Sequence, residues 1–431
     1  MSNCFKLYCV AVIAAFVWIS GSVKAVEVKD LYLVKWPVAE QSITARWKAS
    51  LAGFKEVLVR KSGSRGILDS YEVQQAYRKV STDYLQRFEY SDQNSSNSQH
   101  PYIISLYFEP RLIDGLIKDA KMPLWGANRP VTILWIAVEE NFKRRILTDT
   151  VAPSKPLKKQ AAKSISSKTD VTADLTGSIH KNAVRRGLPV ISPLMDLEDE
   201  LVVSISDIWG RFPSTILQAS ERYSADSVLV GRVKKDGEQW TGDFTYINQS
   251  TQSSYQVFAD ESSEVIAKMM DKLAELLCSK YCVLEESGEK NQVVMNVSGV
   301  NNFKNFKLLE NYLGDLSGVK SASAVKINQQ SVSFELVLLG QVESVIEDIR
   351  LSQKLVAEDP PEISDVNDEL NDKSAQGESL ESDKQAISDE NTMQSTENTD
   401  VINNTNDEHN PESVDETEKS DQQTLYYRWI G

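Results

Sequence analysis

The chain is poor in the residues on which enzyme chemistry most often rests. Its 431 residues include only three histidines and four cysteines. His100, His180 and His409 stand far apart, and no G-x-S-x-G nucleophile turn occurs, so Ser-His-Asp hydrolysis has no signature here. No G-x-G-x-x-G and no Walker A loop occurs either, which removes the usual nucleotide fingerprints and leaves no cofactor implied. The N-terminal apolar run, Leu7 to Ile19, is short against the roughly 20 residues of a spanning helix. Excess charge is missing from most of the chain. The net charge is −15, yet Glu358 to Thr424 alone holds 21 acidic residues against three lysines, leaving the remainder at +3. A near-neutral body offers no electrostatic footprint for nucleic acid.

What is present begins with an export signal. Lys6 precedes the apolar run, and Ser20-Gly21-Ser22-Val23-Lys24-Ala25 places slim residues where signal peptidase reads them. Cleavage between Ala25 and Val26 would yield a periplasmic chain with no stable transmembrane span; an uncleaved anchor is the alternative. Cys4 and Cys9 leave with the signal, and Cys278 and Cys282 remain. In an oxidising compartment such a pair invites a disulfide. Residues four apart on a continuous helix aim their side chains poorly for a bridge, so the helix is expected to end around Ser279-Lys280. Metal binding by this pair lacks histidines nearby in sequence.

The periodicity predicts an α+β, multi-domain chain of mixed sheets with packed helices. An N-terminal α+β domain is expected over 26–152, with a strand at 28–38 and a helix from Glu40 to Arg60. Ile43, Trp47, Leu51, Phe54 and Leu58 would form the inner face of that helix. A second helix is expected over 70–90, then strand, helix and strand to Val138, and a short strand at 145–147. Residues 153–177, rich in Lys, Ser, Ala and Thr, read as a flexible linker. A central α/β domain follows over 178–284. Its densest stretch runs from Arg185 through the short strand Val190-Ile191 and the acidic loop Asp196 to Glu200, then on to the strand Ser227 to Val233. Asp236-Gly237 turns the chain back as a hairpin, and a helix carrying Val265, Ile266, Met269, Met270, Leu273 and Leu277 closes the domain. Residues 291–357 supply strand, helix, strand, strand and helix, a ferredoxin-like unit short of one strand. Residues 358–424 have the composition of disorder, forming an acidic insertion. After them Leu425-Tyr-Tyr-Arg-Trp-Ile430 alternates like a strand and is expected to dock as the missing one.

One cluster could carry chemistry. Asp196, Glu198 and Asp199 could hold a hard cation or act as an acid–base pair; otherwise they are solvated acids at a helix start. Arg185-Arg186 could bind an anion, or pair with that acidic loop, the reading favoured here.

The stretches R-R-G-L-P-V-I-S-P-L-M-D-L-E-D-E and A-S-E-R-Y-S-A-D-S-V-L-V-G-R-V resemble a proteobacterial periplasmic family, domain of unknown function 2066. The resemblance extends to V-K-W-P-V, V-L-V-R-K-S-G and the terminal L-Y-Y-R-W. It implies no activity. The helix, Ala225-Asp226 turn and hairpin are also similar to the nucleotide-free modules of envelope accessory proteins, which implies protein–protein work. The expected function is thus a non-enzymatic accessory or scaffold of the cell envelope with envelope protein partners. The alternative is an envelope hydrolase or metal-binding protein using Asp196, Glu198 and Asp199.

Overall fold

A computed structural model describes residues 27–92, 99–148, 171–248, 251–285, 292–328, 330–360 and 423–431. The proposed cleavage site at Ala25 and Val26, Cys4 and Cys9, residues 153–170 and residues 361–422 lie outside that set. The α+β, multi-domain reading holds: three sheets, each with packed helices, build the described chain.

The first sheet has the order β1-β3-β2, from β1 (Leu33–Val38), β2 (Leu85–Asp92) and β3 (Tyr102–Phe108). Helix α1 (Ile43–Ser62) lies on it, begun by the Ser42 side chain accepting the Ala45 N–H and ended by Gly63 at φ 70°. Its buried face is Ala49, Gly53, Phe54, Val57 and Leu58, and its last turn is buried on every side. Ile43 and Trp47, expected inside, are 76% and 48% exposed because the sheet meets only the later turns. The strand expected from Val28 starts at Leu33, since Asp30 adopts φ 61° and its carbonyl takes the Leu33 N–H. The expected helix over 70–90 stops early. Helix α2 covers Tyr71–Ala76 and tightens through Tyr77–Lys79; a wider turn over Val80–Tyr84 then releases β2. Tyr77 and Tyr84 still face inward and meet Phe54, so the periodicity was real, but the element changed beneath it. Helix α3 (Pro110–Asp119) completes this part.

The second sheet runs β5-β4-β7-β8-β9, with β6 pairing β4. Its members are β4 (Thr132–Glu140), β5 (Lys143–Ile146), β6 (Val190–Ile191), β7 (Ser227–Asp236), β8 (Gln239–Ile247) and β9 (Gln252–Ala259). Strands β4 and β7 pair in parallel, residue for residue from Thr132↔Ser227 to Glu139↔Lys234. The boundary expected at 152 is therefore misplaced: the apolar strand from Thr132 and its hairpin partner belong to the central sheet. Strand β4 is buried on both faces, as its continuous apolar run demands. One face is covered by α4 (Val171–Arg186) and α8 (Ser262–Tyr281), the other by α5 (Leu197–Val202), α6 (Ile205–Gly210) and α7 (Pro213–Ser220). The expected linker over 153–177 is overturned in its last residues. Helix α4 begins at Val171 and buries Leu175 and Ile179 against α8.

The third sheet has the order β11-β12-β10-β14-β13, from β10 (Gln292–Ser298), β11 (Val319–Ile327), β12 (Ser331–Leu338), β13 (Leu355–Ala357) and β14 (Thr424–Trp429). Helices α9 (Phe303–Asp315) and α10 (Val342–Ser352) cover one face. Helix α10 ends at Ser352, where Gln353 turns at φ 51°, and a three-residue strand follows. That strand is the last member a ferredoxin-like unit requires, yet it does not touch β10. Strand β14 is inserted between them, parallel to β10 (Val297↔Tyr427) and antiparallel to β13 (Leu355↔Trp429). Tyr427 and Trp429 enter the core, and Trp429 lies 5.7 Å from the Tyr312 ring.

Candidate functional site

Asp196 is the N-cap of α5, accepting the Asp199 N–H at 3.2 Å. Arg222 then takes both its oxygens, at 2.6 and 3.0 Å, and reaches Asp199 at 3.1 Å and Glu198 at 3.4 Å. The other Asp199 oxygen receives the Tyr223 hydroxyl at 2.5 Å and the Met195 N–H at 2.9 Å. The Arg222 hydrogen bond holds the Asp196 carboxyl down at about 2. Burial, then the bond to Asp199, pushes the Tyr223 hydroxyl up to about 12. The carboxylates are thus gathered on one guanidinium, as a clasp tying α5 to the end of α7. Among the described residues no group of three His, Cys, Asp or Glu side chains is placed to hold a metal.

The expected pairing of Arg185-Arg186 with that loop is also overturned. Arg185 bonds Asp271 of α8 at 2.6 Å, and Arg186 approaches the same carboxylate at 3.4 Å. Both lie in the last turn of α4, whose open carbonyls face the C-terminal end of α1. Arg129 joins the two ends from Nη1 to the Arg186 and Gly187 carbonyls, at 2.8 and 3.1 Å, and from Nη2 to the Arg60 carbonyl at 3.0 Å. Its guanidinium stacks on Trp125 at 4.2 Å and is fully buried. Burial, with Arg60 and Arg186 nearby, pulls its pKa well below the ordinary arginine value. Carbonyl dipoles at two helix ends supply the compensating negative potential.

Beside this joint, Cys278 and Cys282 are bridged, with Cα atoms 4.7 Å apart. Helix α8 does not end at Ser279-Lys280; it runs on to Tyr281, and only Cys282 leaves it, at φ −86° and ψ 148°. One extended residue at the C-cap is enough to re-aim the second sulfur. The bridge packs on Gly63, and the Cys278 sulfur lies 3.4 Å from the Ser62 carbonyl.

On the outer side of the joint lies a groove of about 1170 Å³. One wall is the segment from Glu27 through β1, the other is α4 with the turn to Ser192, and Glu56 and Arg60 form the base. Leu31, Leu33, Ile179, Val184, Leu188 and Val190 make it largely apolar, and Val184 is 59% exposed. Lys29, Lys35 and Lys181 stand at its exposed margin with Glu27 and Asp30. His100 and His180, 80 positions apart in sequence, both line it. Burial pushes the Glu56 carboxyl up, against the opposing pull of Arg60. None of these positions was singled out from the sequence as a groove. The one local signal was Val184, an apolar residue off the inward row of Leu175, Ile179 and Ala183.

Among the described residues no helix is long and apolar enough to cross a membrane. A family model described as Domain of unknown function (DUF8605) matches residues 25–126, which span the first sheet and its helices. The resemblance to domain of unknown function 2066 is thereby corrected. The matching family is a different one, and the R-R-G-L-P and A-S-E-R-Y stretches fall outside the match. No curated protein and no solved structure matches the chain.

Proposed function

We propose that the chain is an exported, periplasmic accessory protein of the cell envelope, and that it works without catalysis by holding a partner protein in the α4 groove. The groove carries this reading. It combines largely apolar walls with a charged margin, the pattern of a protein contact surface whose core excludes water and whose rim stays polar. An exposed Val184 gains nothing for the fold and offers apolar area to a partner. Export is supported by the Lys6 and Leu7–Ile19 pattern and by the Val23 and Ala25 positions. The acidic alternative has less support, because Asp196 and Asp199 already spend their oxygens on Arg222, Tyr223 and backbone.

A photo-crosslinking residue at position 181, on the exposed margin of the groove, tests it in intact envelopes. It should capture a defined protein, and Val184→Asp in the same chain should remove that capture while leaving the melting temperature unchanged. Asp196→Asn with Glu198→Gln should leave capture intact. Capture lost in the acidic variant but kept in Val184→Asp would overturn the reading.

A further inference from the structure

We infer that the gap between β10 and β13 is a strand-acceptor site, and that Thr424–Trp429 of a second copy of this chain can fill it in place of the chain's own. The inference stands apart from the groove and needs no other protein. Among the described residues strand β13 ends the sheet and pairs only with β14, so without β14 the short strand loses that partner and β10 shows an open edge. The two strands have hairpin geometry: Ala357 opposes Tyr427, and the Glu358 N–H meets the Tyr426 carbonyl at 2.9 Å. A hairpin usually closes with about two to five residues. Here the connection is Asp359–Gln422, roughly sixty residues. Loop closure loses probability as a connection lengthens, so this long connection holds its own strand at a lower effective concentration than a tight turn would, one that a second copy can match when the protein is concentrated.

The contacts do not distinguish the copies, because a second copy supplies identical ones. Leu425, Tyr427 and Trp429 alternate toward α9 and α10, and Arg428 reaches Glu358 at 3.5 Å. Gly299, at φ 80°, lets the Trp429 carbonyl approach; a Cβ there would stand 3.0 Å from it. Reciprocal exchange fills both gaps and exposes no new apolar surface, the condition for a closed two-fold swap.

Complementation between a chain lacking only its terminal strand and a complete chain tests this. The acceptor is the chain ending at Gln422. The donor is Val294→Pro, which removes the N–H that meets the Gln423 carbonyl and crowds its own β10 edge, while the core side of β10 and the terminal strand are kept. Each should be monomeric alone, and light scattering of the mixture should give the mass of one acceptor plus one donor. Independently, two differently tagged wild-type copies refolded together at high concentration should be recovered on either tag. This second arm decides the matter even if the acceptor folds poorly. Failure to form two-chain species in both arms overturns the inference. So does a peptide of residues 423–431 that raises the acceptor's melting temperature while no two-chain species forms.

Discussion

Arg60 and Arg186 cap each other's helices. Arg60, in the last turn of α1, donates from Nε to the Arg185 carbonyl at 3.0 Å. Arg186, in the last turn of α4, donates to the Val59 and Gly63 carbonyls at 3.3 and 2.6 Å. The last carbonyls of a helix lack partners within it, and burying two such ends together would be costly unless something satisfied them. The exchange does so with side chains already carried by the two last turns. It also fixes the first sheet against the second, because α1 lies on one and α4 on the other.

Arg129 is the third member and the most exposed to a test. Four of its five N–H groups serve the carbonyls of Gly126, Arg186, Gly187 and Arg60. Arg129→Ala should cost about 3–5 kcal/mol, the sum of a lost buried side chain and several unpaired carbonyls. Arg129→Lys should recover less than half, since an ammonium has no planar fork. Urea unfolding at neutral pH measures both; a loss below about 1 kcal/mol for the alanine variant contradicts the role.

Lys61, one residue on from Arg60, gives the pH signature. It is sealed in the core with Asp114 at 3.6 Å and the Tyr32 ring centroid at 4.8 Å. Burial pulls its pKa to about 8 from the ordinary 10.5. Between those values the unfolded chain holds the proton and the folded chain does not, so stability rises with pH through that window. The full rise is on the order of 3 kcal/mol. Nearer pH 10 it is opposed, because buried Tyr32 and Tyr255 keep protons that unfolded tyrosines release. Urea midpoints should therefore climb from pH 8 before turning over, and Lys61→Met should flatten the climb. A wild-type midpoint falling steadily from pH 8 contradicts this.

Gly63 links the helix end to the disulfide. Its φ of 70° already disfavours any side chain. A Cβ would also stand 2.3 Å from the Cys278 sulfur. Gly63→Ala should cost more than about 2 kcal/mol, beyond the usual left-handed penalty, and Cys278→Ala should recover part of it. Equal losses with and without the sulfur would remove the steric argument.

These joints explain which parts were legible in the sequence. Strands such as Ser227–Asp236 and Val319–Ile327, and helix Ser262–Tyr281, show their period plainly and lie close to where that period places them. Leu85–Asp92 was absorbed into a helix because Tyr84 and Leu85 continue the spacing of Val73, Ala76 and Val80, and nothing local marks the wider turn. Leu355–Ala357 is too short for any period to announce it. The apolar run from Thr132 revealed a buried strand but not its sheet, since its partner Ser227–Asp236 is nearly a hundred positions away. Arg185-Arg186 drew notice as charge, and charge suggested a carboxylate partner. Most of the true partners are backbone carbonyls, which every residue carries and no sequence distinguishes. The groove was hidden for a related reason: its walls come from β1 and α4, and the start of α4 reads as linker.

The terminal strand gives the last test. Removing residues 423–431 takes Leu425, Tyr427 and Trp429 from the core beneath α9 and α10. Each buried aromatic of this size is worth about 3–5 kcal/mol when truncated, and β13 loses its partner as well. The truncated chain should therefore lose about 5 kcal/mol or more, concentrated in the third sheet. Hydrogen exchange separates that from a general loss: amides of β10 and β13 should become exposed to exchange, while those of β4 and β7 keep their protection. Trp429→Ala should reproduce most of the effect, because its buried ring meets Tyr312 in the core. Tyr426→Ala should not, since Tyr426 points to the opposite face of the sheet. A truncation that leaves β10 protected would mean that the edge of β10 is closed by something other than β14.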